Sequence, residues 1–324
     1  MSQNTRLKSS FIYLANAVND LRGNWATLAL VLAPLVVLAA ICLLPDALNL
    51  QHALAEKFAP AMPGSHNVGW MSVQEPYIPS ADTPVAPLFP AWVVLIFHLL
   101  FLLLTIGVSL LVLCTLRRIQ SGAPRLPIAS ETMEVYRAAV RLAPAYMWVT
   151  ILQLALPVIG LVVLRLDFVV SAWWMLLIIY IFEIALLTFA TLAYLWLYFA
   201  QYALVFDNRR SFHALLFSRD LIRKRFFRVA VRIVVFLAVW SGYDSWAAAT
   251  FVIVSNILGP VGAIAGYLIP VVFVVDLAAV AVAYITVAFF FTAGSRLYQD
   301  LRQIALESAA TDIASGVTLP AAGA

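Results

Sequence analysis

Charge is scarce in this chain of 324 residues: Asp, Glu, Lys and Arg make up 11% of it, and 64% of the residues are hydrophobic. A soluble domain carries roughly 25% charged residues, so the composition excludes a soluble fold. Cysteine is also scarce, with only Cys42 and Cys114, near opposite ends of the first two apolar runs. We therefore expect no disulfide between them and no cysteine-based metal site.

Catalytic motifs are missing as well. The sequence contains no P-loop, GxSxG, HExxH or CxxC, and its four histidines are scattered. We therefore predict that the protein is not an enzyme and has no metal site or cofactor. Its net charge of +4 does not predict nucleic acid as a partner, because basic residues in a membrane protein mostly record topology.

What the sequence does have is long apolar runs, and each is long enough to cross a bilayer core of about 30 Å. They predict an all-α polytopic membrane protein with about six transmembrane helices and amphipathic cytoplasmic connecting helices. The predicted spans are approximately 26–44, 89–116, 142–164, 168–206, 226–257 and 267–292. The fourth run lacks proline and glycine, so one long helix projecting into the cytoplasm is favoured over an interrupted one.

The connections between the spans complete the predicted organisation. Proline-rich residues 46–88 predict a partly ordered external loop that offers a site for a protein partner. Ser130, followed by Glu131, predicts a helix start in the first cytoplasmic loop. The predicted domains are an amphipathic cytoplasmic segment, a six-span membrane domain with two cytoplasmic loops, and a disordered cytoplasmic tail, at 1–25, 26–310 (loops 117–141 and 207–225) and 311–324.

The distribution of basic residues predicts the orientation. With both termini in the cytoplasm, the inner segments hold about 18 of the 20 Lys and Arg residues, and the outer segments hold only Lys57 and Arg165. The positive-inside rule predicts this asymmetry, and the opposite orientation would invert it. We therefore expect a multi-pass membrane protein with cytoplasmic termini.

The pattern of an amphipathic segment followed by an outward and a returning span occurs three times, which predicts three helix-pair repeats. Two of the amphipathic segments also share residue types without gaps. The alternative is that any helix lying on the bilayer before a span needs this pattern. The shared positions are Ser10, Phe11, Leu14, Arg22 and Trp25, which align with Ser211, Phe212, Leu215, Arg223 and Phe226.

Residues 199–228 carry a resemblance to a known family. Ala214, Leu215, Ser218 and Arg223, followed by Phe226, Phe227 and Arg228, resemble the cytoplasmic signature of the membrane domain that precedes some bacterial glycerophosphodiester phosphodiesterases, and of YciC-type integral membrane proteins. The resemblance implies a bacterial inner-membrane protein and an architecture more than an activity. Phosphodiesterase activity is not expected, because the residues of a catalytic barrel are not found here.

Four ionisable residues inside predicted spans are candidates for a polar site: His98, Glu183, Asp244 and Asp276. A charged carboxylate near the bilayer centre costs at least about 2.5 to 3.5 kcal/mol, so such residues usually face protein, water or one another. They predict either a cavity that binds a proton, a cation or a polar head group, or carboxyl groups that are neutral or hydrogen-bonded and fix helix packing.

A basic cluster in the second cytoplasmic loop is the other candidate site. It predicts contacts with anionic lipid head groups, and the alternative is that it only marks the inner side of the membrane. Its members are Arg209, Arg210, Arg219, Arg223, Lys224, Arg225 and Arg228, with Arg232 beyond them.

Together these features predict a non-enzymatic integral membrane protein with a structural, assembly or accessory role, associated with membrane lipids and possible protein partners in the membrane. The alternative is a small transporter or channel that uses the intramembrane carboxylates for proton or cation coupling.

Overall fold

The computed structural model describes residues 7–58, 87–121, 127–163, 173–242 and 269–314, and all regular structure in these residues is helical. Most of the helices are long and apolar, and three of them are short. The helices are α1 (Ser10–Gly23), α2 (Trp25–Phe58), α3 (Ala91–Gln120), α4 (Ile128–Val163), α5 (Trp173–Leu197), α6 (Ala200–Asp207), α7 (Ser211–Arg223), α8 (226–242) and α9 (Ile269–Ala314).

Five described segments are long and apolar enough to cross a membrane: Trp25–Asp46, Ala91–Gln120, Ile128–Ala155, Tyr180–Asp207 and Asp276–Ala310. They correspond to five of the six predicted spans. Of the remaining one, at 226–257, the structure describes only residues 226–242. The described residues form two compact units, one within 1–31, 106–238 and 287–324 and the other within 32–105 and 239–286.

Helix α3 exposes a stripe of large apolar side chains in the second unit. Trp92, Leu95, Leu99 and Leu102 are all more than half exposed, and their spacing places them on one face of a helix. A continuous exposed apolar face of this length is not stable in water and is typical of a surface that faces lipid or a partner.

Helix α2 extends further than the sequence predicted. It continues through Pro45 to Phe58, so the first part of the predicted external loop 46–88 is helical, and residues 59–86 lie outside the described residues. The prediction gave too much weight to the prolines after residue 58. Residues 47–58 are rich in Ala, Leu, Gln and Glu, which favour helix.

Helix α4 also differs from its prediction, because it runs from Ile128 to Val163 without a break. The predicted cytoplasmic loop 117–141 is therefore mostly helical, since α3 occupies its first residues and α4 its last. Ser130 lies inside the first turn rather than capping it. The Glu131 amide donates to the Pro127 carbonyl oxygen at 3.0 Å, which is consistent with the preference of proline for helix starts.

The prediction of one long helix over 168–206 is wrong. Helix α5 ends at Leu197 and α6 begins at Ala200, and Phe199 between them has φ −89° and ψ 3°. No proline or glycine causes this break. A side chain from α7 causes it instead, by entering the ladder of backbone hydrogen bonds, which is a recognised cause of a kink.

The predicted end of the last span is also corrected, and the first four residues of the predicted disordered tail 311–324 are helical. Helix α9 continues past residue 292 and past Ala310 to Ala314, and residues 315–324 lie outside the described residues. Polar residues after Arg296 suggested a tail, but they make hydrogen bonds that hold this part of the helix in place.

The junctions α1/α2 and α7/α8 have the same backbone geometry. The residues before α1 and α7, Ser9 and Arg210, have (φ, ψ) of (−67°, 154°) and (−63°, 151°). At the end of α1 the Asn24 amide donates to the Leu21 carbonyl oxygen at 3.2 Å, and at the matching place after α7 the Arg225 amide donates to the Ile222 carbonyl oxygen at 2.8 Å.

Aromatic rings fill the centre of the first unit. The rings of Tyr202 and Tyr298 stack with centroids 5.9 Å apart, and Phe199 lies 5.7 Å from both. Gly294 on α9 permits this packing, because a Cβ at that position would lie 2.2 Å from the Tyr202 hydroxyl and 2.8 Å from its Cζ. The helices approach here only because residue 294 has no side chain.

Candidate functional site

The clearest polar constellation in the first unit holds the later part of α9 against α1, near the N-terminus, and against α6, in the middle of the chain. Arg296 donates from Nε and Nη2 to the two carboxylate oxygens of Asp20 on α1, each at 2.7 Å. This bidentate geometry gives an arginine–carboxylate pair its strongest and most directional form.

One turn further along α9, Asp300 accepts a hydrogen bond from the Tyr13 hydroxyl at 2.8 Å and lies 3.6 Å from the Lys8 Nζ. The Lys8 amide in turn donates to the Tyr13 hydroxyl at 3.2 Å. Burial, together with the hydrogen bond to Asp300, raises the pKa of Tyr13. The hydroxyl therefore keeps its proton and continues to donate it to Asp300.

A third carboxylate binds α9 from the other side. Asp207 at the end of α6 accepts a hydrogen bond from the Tyr298 hydroxyl at 2.5 Å and lies 3.0 Å from Nη2 of Arg302. We call the carboxylates of Asp20, Asp207 and Asp300, together with the side chains they bind, the α9 anchor. The anchor uses its carboxylates in hydrogen bonds and ion pairs, so its geometry supports a structural role.

Ser218 of α7 completes the break between α5 and α6. Its hydroxyl donates to the Trp196 carbonyl oxygen at 2.7 Å and accepts from the Phe199 amide at 3.1 Å. Both backbone groups would otherwise lack a helical partner, and Ser218 is fully buried between them. Ser218, the serine of the signature described above, thus binds backbone groups of another part of the chain.

The predicted lipid contacts divide into exposed and engaged residues. The Arg209 guanidinium carbon lies 3.8 Å from the ring centroid of Phe217. Arg232 donates to the carbonyl oxygens of Leu7 and Lys8 at 2.9 and 2.8 Å, so it belongs to the packing of the N-terminal segment. Arg225 is partly exposed, and Arg210, Arg219, Arg223, Lys224 and Arg228 are exposed.

Within that basic surface, one helix face combines apolar and basic side chains. Positions i, i+4, i+7 and i+11 share a helix face, and on α7 these positions are Phe212, Leu216, Arg219 and Arg223, all exposed. We call these four residues the α7 stripe. The matching face of α1, the α1 stripe, holds the exposed residues Phe11, Ala15, Val18 and Arg22, so it has a single cation.

The predicted intramembrane cluster is described only in part, since Asp244 and the side chain of Glu183 lie outside the described residues. His98 contacts an acid that the sequence analysis did not consider. Its Nε2 lies 3.1 Å from Oδ2 of Asp46, and its Nδ1 lies 2.9 Å from the Val94 carbonyl oxygen.

Asp276 is the other described member of that cluster. It is 5% exposed, and its Oδ2 has no hydrogen-bond partner among the described residues. Such a group is costly in an apolar interior unless it is protonated or meets water or a further polar group. No hydrogen bond within the described residues joins Asp276 to His98.

A cleft of about 300 Å³ lies where α3 ends and α4 begins. Arg118 forms its polar side, 3.4 Å from Oε1 of Glu131 and in contact with Glu134, while Arg117 donates to the Asn208 side-chain oxygen at 2.8 Å. The charges of the cleft are thus largely paired within the protein.

The two cysteines, Cys42 and Cys114, are free and buried.

Sequence reasoning missed Asp20, Asp46, Asp207 and Ser218 as interacting residues. The spacing of Arg296 and Asp300 gave a usable signal, because charges of opposite sign four residues apart favour a continued helix. The partners of α9 in α1 and α6 are distant in sequence and gave no signal.

Comparison of the chain with protein-family models finds no match, and neither the curated proteins nor the solved structures include one that matches. Among the described residues, no group of three or more His, Cys, Asp or Glu side chains is arranged to hold a metal ion.

Proposed function

We propose that this chain is a non-enzymatic integral membrane protein with a structural, assembly or accessory role, associated with anionic lipid or with a membrane complex. One observation carries the proposal: two short amphipathic helices, α1 and α7, expose aromatic and aliphatic side chains beside basic ones. Phe11 and Phe212 are 73% and 66% exposed. Helices of this kind lie in the membrane interface.

The finer architecture belongs to the same proposal. The protein would have six spans, three helix-pair repeats and cytoplasmic termini, in a bacterial inner membrane. The basic-residue distribution supports this topology. The protein would also belong to the family that the signature resembles. The shared geometry of the α1/α2 and α7/α8 junctions supports a repeat. Helix α4 does not follow the repeat, because it is continuous: no break like those at the α1/α2 and α7/α8 junctions separates its amphipathic start from its apolar part.

The test of this proposal is extraction of the full chain from its membrane in a mild detergent, followed by identification of what is retained. We expect anionic phospholipid, a protein partner, or both, to co-purify at a defined ratio. A partner that occupies the predicted external loop 46–88 would be lost on deletion of residues 59–86. A lipid-free and partner-free monomer would contradict the proposal.

A second candidate function, a small transporter or channel, is favoured by the buried acid Asp276 and by the contact between Asp46 and His98. Intramembrane ionisable groups of this kind occur in proton and ion pathways. Under this alternative, proteoliposomes containing the protein show proton-coupled flux that Asp276→Asn or Glu183→Gln abolishes. Asp220→Asn, at an exposed position on α7, is the matched control and leaves the flux unchanged. Flux that persists in both span variants would reject those roles.

A further inference from the structure

The position of α7 relative to its neighbours limits what its exposed face can meet. Three residues separate the end of the candidate span Tyr180–Asp207 from Ser211, the first residue of α7. The four steps of chain from Asp207 to Ser211 reach at most about 14 Å. Two residues separate the end of α7 from the start of α8, and the second residue of α8, Phe227, is 82% exposed. Helix α7 is therefore confined to the end of a span.

The chemistry of the α7 stripe matches that boundary. Phe212 and Leu216 offer apolar surface, and Arg219 and Arg223 offer guanidinium groups on the same face. Guanidinium groups bind phosphate with two parallel hydrogen bonds, which ammonium groups do not. A face with apolar groups in its first half and guanidinium groups in its second half suits a surface where phosphates meet hydrocarbon.

On these grounds we propose that the α7 stripe is a binding site for anionic phospholipid, with Arg219 and Arg223 on lipid phosphates and Phe212 and Leu216 against the acyl chains. This inference rests on the proposed function, because it requires the chain to reside in a membrane. It narrows the predicted cluster of seven basic residues to two. Arg209 lies before α7 with its guanidinium over the Phe217 ring, and the remaining members lie off the α7 stripe.

Two features of the protein supply internal controls. Asp220 accepts from Arg219 at 3.3 Å, and both side chains are about half exposed, so this weak surface pair competes with a lipid phosphate for Arg219. The α1 stripe has the same helix geometry but only Arg22 as a cation. The α1 stripe therefore separates the effect of geometry from the effect of paired guanidinium groups.

The experiment uses the full chain in a neutral detergent, freed of lipid and titrated with phosphatidylglycerol or phosphatidylcholine, with bound lipid counted by native mass spectrometry. We expect tighter binding of phosphatidylglycerol. Loss of each arginine should weaken that binding about fivefold, and Arg219→Gln/Arg223→Gln about 30-fold. Asp220→Asn should strengthen it, and Arg22→Gln or Arg209→Gln should change it less than about twofold. Arg219→Lys/Arg223→Lys keeps the charge and should restore part of the affinity.

The outcomes separate the inference from the proposed function. If the wild-type chain shows no preference for phosphatidylglycerol, the lipid association in the proposed function fails together with this site. If wild type prefers phosphatidylglycerol, and Arg219→Gln/Arg223→Gln has the same preference and the same helix content, then the proposed function stands. Only the assignment of the lipid site to the α7 stripe is then wrong. Displacement of the lipid by inorganic phosphate alone would also overturn the inference, since the ligand would then be a soluble anion.

Discussion

Replacing Ser218 by alanine is the sharpest test of how the α5/α6 break is held. The change removes one oxygen atom and leaves no large cavity, so its effect reports the two hydrogen bonds to Trp196 and Phe199. A buried backbone amide without a partner costs about 1 to 3 kcal/mol, and the loss of a bond to a part-buried carbonyl adds roughly 0.5 to 1.5 kcal/mol. We therefore expect Ser218→Ala to lower the free energy of unfolding by about 2 to 4 kcal/mol.

An ordinary hydrogen bond between membrane helices would give a smaller effect, about 0.6 kcal/mol on average and at most about 1.7 kcal/mol. The size of the loss thus decides between the two explanations. Thr188→Ala is the matched control, because the exposed Thr188 hydroxyl donates only to the Ile184 carbonyl oxygen of its own helix at 2.7 Å. The measurement is equilibrium unfolding in mixed detergent micelles, with amide exchange at Phe199 as the local probe. Equal losses in the two variants, with no faster exchange at Phe199, would refute the reasoning.

Three further predictions concern packing and the α9 anchor. Gly294→Ala should lower the free energy of unfolding by about 1 to 3 kcal/mol through overpacking against Tyr202, and adding Tyr202→Phe should recover only part of that loss, because Cζ of the ring stays close. Gly107→Ala, whose new Cβ meets nothing within 4 Å, should not destabilise the protein, and thermal unfolding in detergent compares the three variants. Because the folded-state pKa of Tyr13 is raised, the stability difference between wild type and Tyr13→Phe should be constant below about pH 10 and decline above it; a difference that grows with alkaline pH would contradict this. Asp20→Asn and Arg296→Gln should each destabilise, and their double variant should show a coupling of at least about 0.5 kcal/mol, whereas additive losses would mean that the bidentate pair adds nothing.

The helical class and the approximate positions of five spans could be predicted because they depend on apolar length and helical periodicity, which are local properties. Helix starts at Trp25 and residue 226 lie within one or two residues of the predicted ones for the same reason. The six-span count, the orientation and the repeats stay predictions.

What the sequence could not reveal depends on partners distant along the chain. The break at Phe199 has no local cause and is held by Ser218, so a search for proline or glycine between residues 168 and 206 pointed to a continuous helix. The end of α9 looked like a tail because its stabilising partners, Asp20 and Asp207, lie in other helices. In the candidate site, His98 was recognised from its place in a span, whereas its contact with Asp46 required the fold.

The α9 anchor also sets an order of events during synthesis. Tyr13 and Asp300 are separated by 287 positions in the sequence, so α1 is made long before its partner in α9 exists. At about 5 to 20 residues per second, that interval is roughly 15 to 60 s. During this time the polar groups of α1 that later bind Arg296 and Asp300 have only water or lipid head groups to contact. The N-terminal helix is thus the first helix to be made and among the last to reach its final contacts, and shortening the chain before residue 296 should leave it without the contacts of Arg296 and Asp300.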